Sequence, residues 1–483
     1  MTLMDFGNEN KKLGVSSLQP ILYQSTKNLR SAKPRIPEKG RVRFVHLADL
    51  HLGSFRIERK ELQQIPLRIF RMVIEFCKKF NVDFVVIAGD LFDSNVTSIE
   101  CLKETGRILA DAKEHGIRVY SVPGSHDASP THSAYIDVLA SANLIQIVEK
   151  LVQNEEGKIQ IKPVQDKTGI NIVGLGGLKR GNEIEYYKNL DYDTIEKIPK
   201  PRIFIMHSTI TEFRPDFLRE EQGIPLSLIP RDFSYYACGH VHQRLQQLCD
   251  GYGIFVYPGQ LFAATIRDFE HCTNSLPGFY LVDFDEHMQV SEQSITFVDV
   301  YSLQTLVGEP ENMIPDVLFA KISFEEFSPS ELEYKLKNIL KNSLKSQGLQ
   351  NCILLLKMEG KLREGRRCEI RWQELAKDCI ESGAVEVFFN KEKIEEKEVG
   401  MEIIHGETTE EIERNTMIEF FLKREGASNR EAALEKAEKA MELLPILAKI
   451  QEEGEKNDVY INRIYEEVIE CLERRSANAD KTH

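Results

Sequence analysis

RVRFVHLADLH (41–51), VDFVVIAGD (82–90) and IRVYSVPGSHD (117–127) are three apolar runs that each end in a polar cluster. Each is short and rich in Val, Ile, Phe or Tyr, as a buried strand should be. Helical periodicity fills the gaps between them. Ile69, Phe70, Val73, Ile74 and Cys77 predict a helix over 66–80, and Ile99, Leu102, Ile108, Leu109 and Ala112 predict one over 97–115, with Gly116 as its C-terminal cap. Strand and helix alternate, so the fold class is α/β. Two later runs, RIFIMHS (202–208) and YYACGHVH (235–242), end in the same manner.

In open α/β sheets, ligands collect outside the carboxyl ends of the strands. Five strand ends deliver Asp49 and His51, Asp90, His126 and Asp127, His207, and His240 and His242 to one shared site. A lone histidine after a strand is an ordinary core residue, and a lone Gly-Asp is a turn. Five such coincidences between residues 49 and 242 point to metal. In an extended exit from a strand, residues i and i+2 project to one side, so Asp49/His51 and His240/His242 each form a pair able to grip an ion. Mixed imidazole and carboxylate ligation favours Mn, Fe, Co or Zn over Mg or Ca. Asp90, with two oxygens, suits a bridge between two ions. Such a pair, ~3.5–4 Å apart, can hold a hydroxide for in-line attack on phosphorus. His126 is then available to protonate the leaving oxygen, with Asp127 or a nearby carbonyl orienting its ring. His115, His132, His271, His287 and His405 lie outside the pattern and read as surface or structural residues.

The chain has 483 residues, 42% hydrophobic and 29% charged, in the range of a soluble globular protein of two or three domains. Nine cysteines without CxxC pairs argue against a disulfide framework and for a reducing, cytosolic compartment. No apolar run approaches the roughly 18 residues of a membrane helix, and the N-terminus lacks the apolar stretch of a signal peptide. The net charge of −14 is unevenly spread: residues 401–483 hold 20 Asp/Glu against 12 Lys/Arg, and residues 1–40 hold 3 against 7. That leading arm has no periodicity and reads as a disordered basic extension. The acidic balance therefore does not exclude DNA; contact would come from local patches.

After about residue 300 the pattern changes. Strands are expected at 316–323, 351–358 and 384–389, and helices at 329–345 and 370–382, the latter with the single tryptophan, Trp372. This is a smaller α+β unit in the order β-α-β-α-β. Acidic helical stretches follow at 409–424, 430–453 and 458–475. Their apolar positions are too few for an independent core, so they are expected to pack on a neighbour or a partner.

DLH (49–51), GD (89–90), GSHD (124–127), His207 and GHVH (239–242) together resemble the calcineurin-like metallophosphoesterase superfamily. Its pattern is D-x-H, G-D, G-N-H-D or E, H, and G-H-x-H. HLADLHLG (46–53) and AGDLFD (88–93) are most similar to the SbcD and Mre-eleven nucleases of double-strand-break repair, and YPGQ (257–260) stands where those carry Y-P-G-S. The motif resemblance covers residues 41–265. It implies a β-sandwich flanked by helices over 41–300, a DNA-capping-like α+β domain over 301–400, and a partner-binding helical segment over 401–483.

By matching position, the resemblance assigns Asp49, His51, Asp90 and His242 to a first ion, and Asp90, residue 125, His207 and His240 to a second. Both would be divalent, Mn²⁺ foremost, with His126 as the transition-state acid. Ser125 departs from the family's asparagine. Its side chain is one heavy atom shorter and a weaker neutral donor, which predicts a weaker second site. The partners implied are DNA ends, a coiled-coil ATPase of the SbcC or Rad-fifty kind bound by the C-terminal helices, and a second copy of the chain. Two other readings stand beside this one. One is a phosphoesterase of the same fold acting on nucleotides or phosphoproteins, for which a capping domain has no use. The other is a DNA-end-binding scaffold weakened through Ser125, for which His126 has no use.

Overall fold

A computed structural model describes residues 17–18, 22–30, 34–54, 59–128, 134–178, 181–346, 350–396, 408–424, 430–450 and 457–479. Two six-stranded sheets stack face to face. One runs in the order Ile295–Asp299, Gly278–Phe284, Val42–Leu47, Phe84–Ala88, Arg118–Val122, Gln146–Ile147. The other runs Leu245–Cys249, Gly253–Tyr257, Tyr235–Gly239, Arg202–His207, Asn171–Leu175, Val164–Gln165. The five apolar runs are all central strands, and within each sheet they pair in parallel. Their carboxyl ends share one edge of the sandwich.

The runs look continuously apolar because both faces of each strand are buried. Phe44, Val86, Val122, Ile205 and Ala237 face the space between the sheets. Their neighbours Val45, Leu47, Val85 and Ile87 face outward into the core under the helices, and Phe204, Met206, Tyr236 and Cys238 fill the outer face of the second sheet. Helices Lys60–Lys79 and Ile99–Glu114 cover the first sheet and make the parallel crossovers. The first begins six residues earlier than its periodicity predicts. Leu62 and Ile65 are also buried, so the apolar face extends through Pro66 to the N-terminal side.

Strands Asp316–Phe327, Cys352–Leu362 and Ala384–Glu395 form a parallel sheet with helices Pro329–Ser346 and Trp372–Glu381. Leu336 and Leu375 join the strands in a core of their own. The opposite face carries Val317, Ile353, Leu355 and Phe388 into the core under the helices of the first sheet, so the described residues up to 396 make one compact unit.

The leading arm differs from expectation. Leu22–Ser25 pairs antiparallel with 318–321, adding a strand to the smaller sheet. The buried Thr26 hydroxyl bonds Asp316 at 3.0 Å and accepts from Val317 N–H at 3.0 Å. Arg30 pairs with Asp316 and stacks 4.2 Å from the Tyr301 ring. An open sheet edge offers unpaired backbone groups, and residues 22–30 satisfy them despite lacking any strand-like pattern. Residues 1–16 of the expected arm lie outside the described residues.

Residues 398–483 form a second compact unit. Its helices are Thr409–Arg424, Arg430–Leu447 and Asn457–Ala479, with a small core of Ile418, Ala433 and Ala437. Among the described residues, no helix is long and apolar enough to cross a membrane.

Candidate metal centre

The strand ends turn abruptly. Asp49, His51, Asp90 and His240 all adopt left-handed backbone, with φ of 51°, 44°, 49° and 84°. The extended i, i+2 geometry expected for Asp49 and His51 is therefore wrong; a tight turn, not a pleat, brings the two side chains together. Such conformations cost of order 1–3 kcal/mol each for a non-glycine residue and persist only where neighbours hold them. Asp49 N–H donates to the Gly89 carbonyl (3.2 Å) and His51 N–H to the Asp90 carbonyl (3.0 Å). His240 N–H donates to both oxygens of Asp49 (3.0 and 3.1 Å). Close approach explains two glycines. A Cβ on Gly89 would lie 2.2 Å from His207 Nδ1, and one on Gly124 would lie 2.1 Å from Asp90 Oδ1.

Asp49, His51 and His242 place ligating atoms within 4.8 Å of one another, as do Asp49, Asp90 and His207. His51 Nε2 and His242 Nε2 face each other at 3.1 Å. At most one proton fits between them, whereas a cation can be held by both lone pairs. His207 donates from Nδ1 to the Ala88 carbonyl (2.8 Å), and its buried Nε2 has no hydrogen-bond partner, although Asp90 Oδ2 is 3.2 Å away. His242 bonds Asp268 through Nδ1 (2.9 Å). One nitrogen tied to an oxygen and the other left for an ion is how ligating histidines are prepared. These residues fit a divalent metal.

The electrostatics agree. Burial by itself disfavours the charged form of His207, but Asp90 and Asp49 outweigh it and raise the imidazole to about 10. Burial likewise opposes His51, yet Asp93, Asp90 and Asp49 raise it to about 9. Burial works against ionisation of Asp90, but His207 and His51 hold its carboxyl below the usual range. The pocket is built to concentrate positive charge.

His126 is exposed at the rim, 4.8 Å from the His51 ring centroid. Its backbone N–H donates to Asp90 Oδ1 (2.8 Å), and its Nδ1 bonds the Asp93 carbonyl (2.7 Å), so Nε2 is the ring nitrogen these contacts leave over. Asp127 does not orient this ring. Its carboxylate instead accepts the backbone N–H groups of Leu91 (3.0 Å), Phe92 (2.9 Å) and Gly124 (3.0 Å), tying the two turns together. Burial, then the charge of Asp90, pushes it up to about 6. Ser125 is half-buried and lines a cavity of about 440 Å³ with His207, His240 and Glu221.

Residues 42–244, which hold every candidate ligand named in the sequence, match the family model of the calcineurin-like phosphoesterase. This region is a calcineurin-like phosphoesterase domain. The chain is similar to the DNA double-strand break repair protein Mre11 of Methanococcus maripaludis, at 25% identity over 56% of the chain and 69% of the relative. It is similar also to Mre11 of Saccharolobus solfataricus, at 24% identity over 62% of the chain and 74% of the relative. Mre11 of Methanocaldococcus jannaschii is 27% identical over 50% and 62%.

Three groups of the phosphoesterase centre escape the motif reading. Asp268 sits in a capping box with Thr265, the only signal it carries in the sequence. Asp93 ends AGDLFD, and its side chain lies 3.3 Å from His51 Nδ1 while its carbonyl holds His126. Glu221 meets His240 Nε2 from an irregular loop. Asp268 and Glu221 lie outside every motif, and Asp93 lies in one that gives it no role.

Proposed function

We propose that this chain is the nuclease subunit of a DNA-end-processing complex, cleaving phosphodiester bonds with two divalent ions, Mn²⁺ foremost. The observation that carries it is the placement of His126 at the open rim of a buried Asp/His cluster, on a chain similar to proteins named for double-strand break repair. Asp49, His51, Asp90 and His242 would hold one ion, and Asp90, Ser125, His207 and His240 the other. When bound, such ions supply a hydroxide nucleophile and neutralise charge developing at phosphorus.

The chain's own residues do the rest. His126 delivers a proton to the leaving oxygen, with the Asp93 carbonyl fixing its ring. Asp127 keeps the Asp90 turn and the His126 turn in register. Helix Asn457–Ala479 exposes Ile461, Tyr465, Ile469 and Leu472 at helical spacing, a stripe suited to a coiled-coil ATPase partner. Val96, Ile99 and Val138 are exposed where helices Ile99–Glu114 and Tyr135–Ser141 meet, which suits a second copy of the chain. We place the protein in the cytoplasm.

The test is cleavage of linear duplex DNA by metal-free protein with and without added Mn²⁺. Mn²⁺-dependent loss of DNA ends is expected. Hydrolysis of nucleotides or phosphopeptides with intact duplex would favour the other phosphoesterase reading, and DNA-end binding without cleavage would favour the scaffold.

A further inference from the structure

Ser125 offers the second half of the centre only a neutral hydroxyl, and the cavity it lines holds a carboxylate that the motif does not include. His207 and His240 line that cavity with Ser125, Glu183 and Glu221. His207 is 1% exposed, and its Nε2 makes no hydrogen bond although it faces Asp90 Oδ2 at 3.2 Å, as two ligands of one ion would face each other. Glu183 is committed to the wall: one oxygen bonds the Ser208 hydroxyl and the other accepts from Leu178 N–H at 3.0 Å.

Glu221 is placed differently. Its carboxylate touches Nε2 of His240. Its backbone is pinned, the N–H donating to the Leu218 carbonyl at 3.0 Å and the carbonyl accepting from the Arg214 guanidinium. Elsewhere in the centre, side chains assigned to one ion touch each other in the same way: Asp90 Oδ2 lies 3.2 Å from His207 Nε2, and His51 Nε2 lies 3.1 Å from His242 Nε2.

We propose that Glu221 supplies the second ion with the strong, charged oxygen donor that the neutral Ser125 hydroxyl does not provide. The inference rests on the metal-dependent reading above. A carboxylate suits Mn²⁺ and brings a negative charge that neither serine nor asparagine offers. The second site is then complete, by a residue from another loop.

The experiment is a Mn²⁺ titration of the metal-free full-length chain, followed by the electron paramagnetic resonance signal of free Mn²⁺. The parent is expected to take up two ions. Glu221→Ala should keep the first and weaken the second at least on the order of the 10–100-fold that losing even an outer partner costs. Ser125→Asn in the Glu221→Ala background should restore most of that affinity, because the amide oxygen fills the same vacancy, so the double-mutant cycle is strongly non-additive. Parent-like binding in Glu221→Ala overturns the proposal. So does a loss that Ser125→Asn leaves in full, which would assign Glu221 to holding the His240 ring only. A parent that binds no Mn²⁺ would instead overturn the metal-dependent reading itself. Melting of the metal-free proteins checks the fold. If Glu221→Ala melts early, Glu221→Gln takes its place: it should still bind the second ion several-fold more weakly, and equal affinity counts against the proposal.

Discussion

His242 Nδ1 donates to the carboxylate of Asp268 across 2.9 Å, and the same carboxylate caps helix Ile266–Cys272 through Thr265 N–H at 2.8 Å. Burial opposes ionisation of Asp268, but the His242 bond outweighs it and brings the carboxyl down to about 2. Asp268 therefore fixes which nitrogen of His242 is free for metal. Replacing it with alanine is expected to weaken the first ion on the order of 10–100-fold. Calorimetric Mn²⁺ binding measures this, and unchanged affinity would leave Asp268 as a helix cap alone.

His126 is bonded to the centre through its backbone N–H and its Asp93-bound Nδ1, with its ring edge-on to that of His51. His126→Ala should lower DNA cleavage on the order of 10²–10⁴-fold while Mn²⁺ uptake stays at the parent level. Cleavage at the parent rate would remove His126 from proton transfer.

The metal-free centre should compete with protons for its ligands. His51 is raised to about 9 and His207 to about 10, so below those values both imidazoles carry a proton that a ligating nitrogen must lose. Mn²⁺ binding should release protons, and apparent affinity should climb between about pH 6 and 9 by roughly tenfold per pH unit for each proton released. Calorimetry in two buffers of different ionisation enthalpy counts the protons. An affinity flat across that range would contradict the charge arrangement.

Away from the centre, Asp166 accepts both arms of Arg118 (3.0 and 2.8 Å), the Tyr120 hydroxyl (2.6 Å) and Thr168 N–H (2.8 Å). Burial opposes its charge, but these bonds lower it from 3.8 to about 2. A carboxyl depressed in the folded state contributes stability above its unfolded value and loses it as pH falls toward the folded one. Here that contribution, about 2 kcal/mol, should fade between pH 4 and 2. Asp166→Asn should destabilise at pH 7 and flatten the acid limb of the unfolding profile. An unchanged acid limb in denaturant titrations would show that the network contributes nothing net.

Residues 398–483 form their own unit with an exposed apolar stripe on helix Asn457–Ala479. A chain ending at residue 405 should keep basal metal-dependent cleavage yet fail to co-purify with a coiled-coil ATPase. Co-purification at the full-length level would move that interface elsewhere. A truncation that melts early would mean the helices serve the core instead.

The α/β class, the sandwich strands and the strand ends that gather the candidate centre are legible in the sequence because burial on both strand faces writes a continuous apolar run, and each run ends where its polar residues begin. Periodicity of this kind is local, so it survives in one chain read alone. Tertiary structure decided the rest. The left-handed turns at Asp49, His51, Asp90 and His240 exist because backbone groups of neighbouring strand ends bond across them. The task of Asp127 changed from orienting an imidazole to binding three N–H groups, a choice set by which turn lies closer. Thr26 and Arg30 found Asp316 nearly 300 residues away because an open sheet edge needed a strand. Asp268 and Glu221 reached the histidines from helix and loop positions with no ligand pattern, since a single well-aimed carboxylate leaves no periodic trace along the chain.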